Sequence, residues 1–221
     1  MNDKFGLIAD NIEKIRREMD AYPAARLMAV IKTRTQEEIQ FTIRECGLTL
    51  VGENRVQEMT AHGSALDGAE VHFIGTLQKN KVKYLTGKVS AAESVDSFEL
   101  AAEISRRSAA AGIVTDVLFE VNTGRETQKS GVFPEDLPRL IYDCASLPAI
   151  RARGLMTVAP ICDSGAERRK YFALLRKLKD ENSSYFVSPI LSMGMSDSYR
   201  EALDEGADIV RIGTGIFGKR E

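Results

Sequence analysis

Two basic side chains stand in stretches of the sequence that otherwise resemble buried strands. Lys32 ends the run LMAVIK, which begins at Leu27, and Arg211 interrupts the run DIVRIG. A charged group among buried apolar residues is costly unless a partner or a ligand offsets its desolvation. The two residues therefore mark a candidate site. A surface lysine in a strand-to-helix loop is the alternative interpretation of Lys32.

A glycine-rich segment, GTGIFG, follows Arg211 closely at residues 213–218. It matches the pattern GxGxxG, but only three residues follow it, so we do not expect the βαβ unit of a dinucleotide site. A narrower interpretation is that the backbone N–H groups of Gly213 to Gly215 hold one phosphate, with a hydroxyl from Ser192 or Ser196. A turn that simply requires glycine is the alternative.

Eight apolar, strand-like runs alternate with helical patterns along the chain. The runs begin at Leu27, Leu48, Val71, Val89, Asp116, Ala152, Pro189 and Asp208. Strict alternation predicts a parallel sheet that is covered by helices. The fold class is therefore α/β, and eight units in about 200 residues fit a TIM-type (β/α)8 barrel. We predict one domain over residues 1–221 with an extra helix over residues 3–20. An open doubly wound sheet is the alternative.

The first and last strands of a closed barrel are neighbours, and the chemistry lies at the carboxyl ends of the strands. If Lys32 points into the barrel, Met28 does too, while Ala29 faces the helices. Lys32 and Arg211 then meet beside the glycine turn, where desolvation and a nearby cation would lower the pKa of the lysine amine. A neutral lysine amine can form a Schiff base. Phosphate cradle, lysine and arginine together suit pyridoxal 5′-phosphate (PLP), with acylated or metabolite-derived phosphates as competing ligands.

Composition disfavours several other classes of function. The formal net charge is −2 without a strong basic block, so we expect no nucleic-acid partner. The three cysteines form no CxxC pair, which suits a reducing compartment and argues against a zinc site. No apolar run approaches the roughly 20 residues of a membrane-spanning helix, and the first residues lack the apolar core of a signal peptide. We expect a cytoplasmic protein with no membrane or metal partner, and a monomer by default.

Other candidate motifs are weaker. The segment VNTGRETQKSG resembles a P-loop, but Gln128 stands where the second glycine belongs, so we predict that Lys129 is a loop lysine. A place for Lys129 at the edge of the site is the alternative. His62 falls in a helical pattern and is expected to be exposed. His72 alternates with apolar residues in a strand, which is typical of a hydrogen-bonded core histidine, and no second ligand stands at metal-binding spacing.

Several blocks of the sequence, in order, closely resemble the pyridoxal phosphate homeostasis protein family (YggS/PROSC). They are AVIKTRT, GENRVQE, HFIGTLQKNK, VNTGRETQKSG, RGLMTVAP and LSMGMSDSYREALDEGADIVRIGTGIFG. The resemblance implies a barrel similar to the N-terminal domain of alanine racemases. It also implies that PLP is held as a Schiff base on Lys32.

The resemblance further implies roles for individual residues. Arg211 would face the pyridine nitrogen of PLP, and the phosphate would contact Ser196, Gly213 and Thr214, with Ser192 nearby. The surroundings of the cofactor would be lined by Asn54, His72 and Met156. Three departures from the family's usual residues are Ile31 for serine, Thr76 for proline and Arg55 for an aromatic residue. The last two could alter the rim of the pocket, and none of the three removes a proposed anchor.

PLP binding does not by itself imply an enzyme, and we assign no catalytic residue. An arginine at the pyridine nitrogen keeps that nitrogen unprotonated and weakens the electron sink that PLP chemistry uses. A racemase also needs a second base, and we expect no further domain to supply it. The resemblance implies control of intracellular PLP, with apo forms of PLP-dependent enzymes as candidate recipients. A PLP-dependent racemase or lyase, and a Schiff-base aldolase acting on a phosphosugar, are the alternatives.

Overall fold

Eight parallel strands form a closed barrel in the computed structural model, which describes residues 3–218. The strands pair in chain order, and β8 closes the barrel against β1. Their bounds are β1 (Arg26–Val30), β2 (Leu50–Glu53), β3 (Glu70–Phe73), β4 (Ala91–Val95), β5 (Thr115–Glu120), β6 (Ile150–Met156), β7 (Ile190–Ser192) and β8 (Ile209–Ile212). The predicted barrel is confirmed, and the open doubly wound sheet is excluded.

Helices follow the strands around the outside of the barrel. They are α1 (Asp3–Met19), α2 (Gln36–Arg44), α3 (Val56–His62), α4 (Phe98–Ala110), α5 (Leu137–Cys144), α6 (Gly165–Glu181), α7 (Tyr199–Asp204) and α8 (Thr214–Phe217). Between β3 and β4 the chain forms the 3-10 helix Lys79–Tyr84 in place of an α-helix. The extra N-terminal helix is α1, and it contacts α8 and α2. Within the described residues, none of these helices has the length and apolar character needed to cross a membrane.

The alternation of side chains along the strands divides the apolar residues into two layers. Ala29 and Ile31 belong to the large outer layer between strands and helices, whereas Met28 packs inside the barrel with Leu50 and Ile209. This is the arrangement expected from the period of two residues in a strand. The predicted orientation of the first strand is confirmed.

Several helix ends carry residues that are typical of helix caps. Thr35 caps α2, where its hydroxyl accepts the N–H of Glu38 while the Glu38 carboxylate accepts the N–H of Thr35. This capping box fixes the turn that follows Lys32. Gly112 directly follows the C-cap of α4, and Gly47 lies two residues beyond the C-cap of α2; both have left-handed backbones, with φ of 67° and 60°.

Candidate functional site

Lys32 lies two residues beyond the end of β1, at the carboxyl end of the barrel, and is half-buried. The next residue, Thr33, has φ of 61°, which is unusual for a β-branched residue. The carboxylate of Glu58 on α3 accepts the N–H of Thr33 at 2.7 Å. This hydrogen bond holds the backbone next to Lys32 in its strained conformation.

Arg211 is buried inside the barrel on β8, the strand that pairs with β1. It lies on the same face as Ile209 and opposite Val210 and Ile212, which pack in the outer layer, as the strand pattern predicts. Its Nη1 donates to Ser192 Oγ at 2.7 Å, and its Nη2 donates to the carbonyl oxygen of Thr157 at 2.8 Å. The guanidinium is therefore held at two points.

A row of alternating charges continues from Ser192 across the inside of the barrel. Ser192 donates to Glu93 Oε2 at 2.5 Å, and Glu93 Oε1 lies 2.6 Å from Nδ1 of His72. Nε2 of His72 lies 3.0 Å from Glu70, whose carboxylate accepts two hydrogen bonds from Arg26. The row thus joins Arg211 to a cavity of about 210 Å³ at the amino end of the barrel, which Arg26, Glu70 and His72 help to line.

The hydrogen bonds determine the charges of these groups. Burial disfavours a charged His72 ring, but hydrogen bonds to Glu70 and Glu93 outweigh this and raise the pKa of His72 to about 9. Burial likewise opposes a charged Glu93, yet the hydrogen bond from His72 and the charges of His72 and Arg211 lower the pKa of Glu93. We therefore treat His72 as an imidazolium that donates from both nitrogens to carboxylates at neutral pH.

The raised pKa of His72 predicts a pH-dependent stability. The ring contributes its full stabilisation below the pKa of about 6.5 in the unfolded chain, and loses it as the pH rises through about 9 in the folded chain. We expect the free energy of unfolding to fall by roughly 2–3 kcal/mol between these two pH values. Urea unfolding at several pH values would measure it. His72→Gln should remove this part of the slope, and parallel slopes for the two proteins would contradict the assignment.

The glycine turn lies where β8 ends, against the end of β1. A Cβ at Gly213 would stand 3.5 Å from the Val30 side chain, and the N–H of Gly215 donates to Ser196 Oγ at 3.0 Å. A Cβ at Gly215 would approach Ile212 to 2.8 Å, so this position has little room for a side chain. The structure therefore brings together three of the predicted phosphate contacts, Ser196, Gly213 and Thr214. Ser192 differs from them, because its hydroxyl hydrogen is donated to Glu93.

Asn54 directly follows β2 at the carboxyl end of the barrel. Its side-chain Oδ1 is buried and has no hydrogen-bond partner among the described residues. Its backbone carbonyl leaves no room for a side chain at Gly75, where a Cβ would stand 2.1 Å from the oxygen. An unsatisfied buried amide oxygen at this edge is a position where a ligand that donates a hydrogen bond would supply the missing partner.

His62 corrects one expectation from the sequence. It is buried, with 6% of its surface exposed, and Nδ1 lies 3.1 Å from Oε2 of Glu53, so the prediction of an exposed histidine was wrong. His62 ends α3 and Glu53 ends β2, so the packing of the last turn of α3 on the carboxyl end of β2 covers the His62 ring. Glu53 also accepts the N–H groups of Asn54 and Arg55, so the pair supports the loop that carries Asn54.

Of the remaining predicted residues, Met156 lies at the carboxyl end of the barrel, and His72 lies nearer the amino end. Met156 ends β6, is buried, and pairs in register with Ser192. His72 also lines the cavity at the amino end, so its predicted contact with the cofactor stays a prediction. Lys129 lies in a loop and forms a 2.5 Å ion pair with Glu126, in agreement with a loop lysine.

Two acidic residues beside the site were not among the predicted site residues. Glu93 is fully buried in β4, where the sequence AAESV carries a carboxylate within a strand, and this feature could have identified it. Glu58 lies on α3, and its contact with Thr33 has no signal in the local sequence. Within residues 3–218, no group of three or more histidine, cysteine or acidic side chains is arranged to hold a metal ion.

The sequence matches a family described as alanine racemase, N-terminal domain, over residues 6–221. It is 47% identical over 201 residues to the pyridoxal phosphate homeostasis protein of Aquifex aeolicus, with 89% of this chain and 88% of that protein covered. It is 36% identical over 225 residues to the protein of the same name from Pseudomonas aeruginosa, with 97% and 96% covered.

Solved structures show the same likeness. The structure of PipY from Synechococcus elongatus with PLP bound superposes with a TM-score of 0.82 at 30% identity, covering 96% of this chain and all of that one. Alanine racemase from Corynebacterium glutamicum has a TM-score of 0.75 at 17% identity, with 98% of this chain and 61% of that chain covered. The latter similarity concerns the fold alone.

Proposed function

Because this chain belongs to the pyridoxal phosphate homeostasis protein family, we propose that it binds PLP on Lys32 and serves PLP homeostasis without turnover of its own. The observation that carries the proposal is the buried, doubly anchored Arg211 on the strand next to β1, which Lys32 follows. A lysine, a buried cation and a glycine turn at one mouth of a barrel are the groups that a phosphorylated pyridine aldehyde requires.

The other residues around the mouth fit this cofactor. The turn at Gly213 and Thr214, with Ser196 beside it, would hold the phosphate. Asn54 carries an unsatisfied polar atom for a ring substituent, and Met156 would supply an apolar wall. Arg211 would face the ring nitrogen. Ser192 would hold Arg211 through their hydrogen bond. His72 would hold Glu93, the partner of Ser192, rather than contact the cofactor at the mouth.

The proposed bond forms by condensation. Lys32 would hold PLP through a Schiff base, in which a C=N bond to Nζ takes the place of the aldehyde C=O bond and one water molecule is released. No oxidant or reductant is required. When bound, PLP supplies an electrophilic carbon and a conjugated ring that can withdraw electrons. Because water reverses the condensation, the protein can release the cofactor again, as a homeostasis protein must.

Arginine opposite the ring nitrogen favours storage over turnover. Arg211 is a donor without an acceptor, so it leaves the nitrogen unprotonated and the electron sink weak. The two relatives are named homeostasis proteins, which supports the same conclusion. The racemase fold keeps a PLP-dependent racemase or lyase as the second candidate.

Reduction by borohydride tests the proposed bond. We expect protein loaded with PLP to gain one phosphopyridoxyl group per chain on reduction, and mass spectrometry of peptides to find it on Lys32. Modification spread over surface lysines, or found on Lys129 alone, would contradict the proposal. Unloaded protein treated identically is the control.

Two further measurements separate storage from turnover. Loaded protein incubated with amino acids in deuterium oxide should show no Lys32-dependent incorporation at Cα, and rapid incorporation would favour the racemase. In a transfer assay, loaded protein should reactivate an apo PLP-dependent enzyme, and the rate of reactivation is compared with the rate that free PLP gives at equal concentration.

A monomeric, cytoplasmic protein is part of the same proposal, and sedimentation in solution would test whether the protein is a monomer.

A further inference from the structure

Glu93 is a fully buried carboxylate near the centre of the barrel, and both of its oxygens are engaged. Oε2 accepts from Ser192 and Oε1 faces the His72 ring. Leaving such a carboxylate without partners inside the barrel would cost several kcal/mol. The residue is therefore held in one place, with a cation on one side and a hydroxyl on the other.

The hydroxyl of Ser192 transmits that position to Arg211. A serine hydroxyl has one hydrogen, and here it is donated to Glu93 at 2.5 Å. Its lone pairs consequently face the other way, where Nη1 of Arg211 donates at 2.7 Å. If the carboxylate were replaced by a group that does not accept this hydrogen, the hydroxyl could rotate and Arg211 would lose an oriented acceptor.

The second anchor of Arg211 is a backbone carbonyl, that of Thr157, which does not rotate freely. Together the two acceptors fix the plane of the guanidinium and leave its remaining donors for a ligand. Glu120, another buried carboxyl near Arg211, hydrogen-bonds with Ser130 instead. Glu93 is thus the carboxylate that acts on the guanidinium through a hydrogen-bonded side chain.

We propose that Glu93 is a positioning residue of the cofactor site, which sets the Arg211 guanidinium through Ser192 so that it recognises the ring nitrogen of PLP. This inference rests on the proposed function, in which Arg211 faces that nitrogen. It predicts that Glu93 matters for ligands that carry the nitrogen and not for ligands that lack it.

The test compares PLP with 1-deaza-PLP, in which a C–H group replaces the ring nitrogen while aldehyde and phosphate are retained. We expect the wild-type protein to bind PLP roughly tenfold or more tightly than the analogue, as a charge-assisted hydrogen bond implies. In Glu93→Gln we expect the single amide oxygen to accept from the His72 ring, so that an NH2 group, which cannot accept the hydroxyl hydrogen, faces Ser192. The preference for PLP should then fall to under about threefold by weakening PLP binding alone. Equilibrium titration of visible absorbance measures both affinities.

Glu70→Gln is the matched control. It changes the carboxylate on the other side of the same His72 ring and leaves the path from Glu93 to Arg211 intact. We expect it to lower the thermal stability and to retain the preference for PLP. Equal loss of preference in Glu70→Gln and Glu93→Gln would show a general structural effect and would overturn the inference.

Ser192→Ala keeps the test informative if Glu93→Gln does not fold. It should reduce the preference to the same extent, and the double variant should lose nothing further, because both changes break one path. A wild-type protein that does not bind PLP would reject the proposed function itself. If Glu93→Gln and Ser192→Ala both keep the wild-type preference for PLP over 1-deaza-PLP, only the role of Glu93 is rejected.

Discussion

Lys32→Ala is expected to remove the visible absorbance of the PLP-loaded protein completely. The Schiff base is a bond to Nζ, and alanine has no nitrogen to form it. PLP held only by Arg211 and the glycine turn should remain an aldehyde and should leave the protein on gel filtration. Absorbance spectra of purified, loaded and desalted protein measure the effect.

Lys129→Ala is the matched control for this variant. Lys129 lies in a loop and is paired with Glu126, so its loss should leave the spectrum unchanged. Thermal unfolding of both variants without PLP should resemble that of the wild-type protein, because Lys32 lies after β1 and not within it. An undiminished visible band in Lys32→Ala would place the cofactor elsewhere and end the proposed function.

Gly154→Ala is expected to destabilise the protein more than Gly112→Ala does. Gly154 lies on β6 with φ of 135°, and a Cβ there would stand 2.0 Å from the carbonyl oxygen of Ile190 on β7. The neighbouring strand cannot move away without opening the barrel. We expect a loss of at least about 3 kcal/mol, since both backbone strain and a backbone clash contribute. The melting temperature should fall by roughly 6–12 °C.

Gly112→Ala isolates the contribution of the backbone conformation. Gly112 also has positive φ, 67°, but nothing lies within 4 Å of a Cβ built there. We expect it to cost about 1–2 kcal/mol. If Gly154→Ala were no more destabilising than Gly112→Ala in thermal unfolding, the close packing of β6 on β7 would not be the reason for the glycine.

The local pattern of the sequence was sufficient for the order and the orientation of the strands. Met28 and Arg211 point inward because side chains alternate along a strand, and this alternation is a property of consecutive residues. Closure followed from eight repeated units, although the same pattern also allowed an open sheet. The resemblance to a family added the cofactor, which no pattern of spacing specified alone.

Contacts between distant residues needed the tertiary structure. Ser192 was predicted near the phosphate, yet its hydroxyl reaches Glu93, 99 residues away in the chain. His62 looked like a residue on an exposed helix face until α3 was seen to cover the end of β2.

The sequence by itself thus determined the order of the strands, favoured a barrel, and identified Lys32 and Arg211 as candidate site residues. Only the tertiary structure decided that a row of charges runs from the exposed Arg26 through the barrel interior to the buried Arg211. The physical reason is that the face of a strand to which a residue belongs depends on its neighbours in sequence. The partner that it meets across the barrel depends instead on the register and tilt of all eight strands.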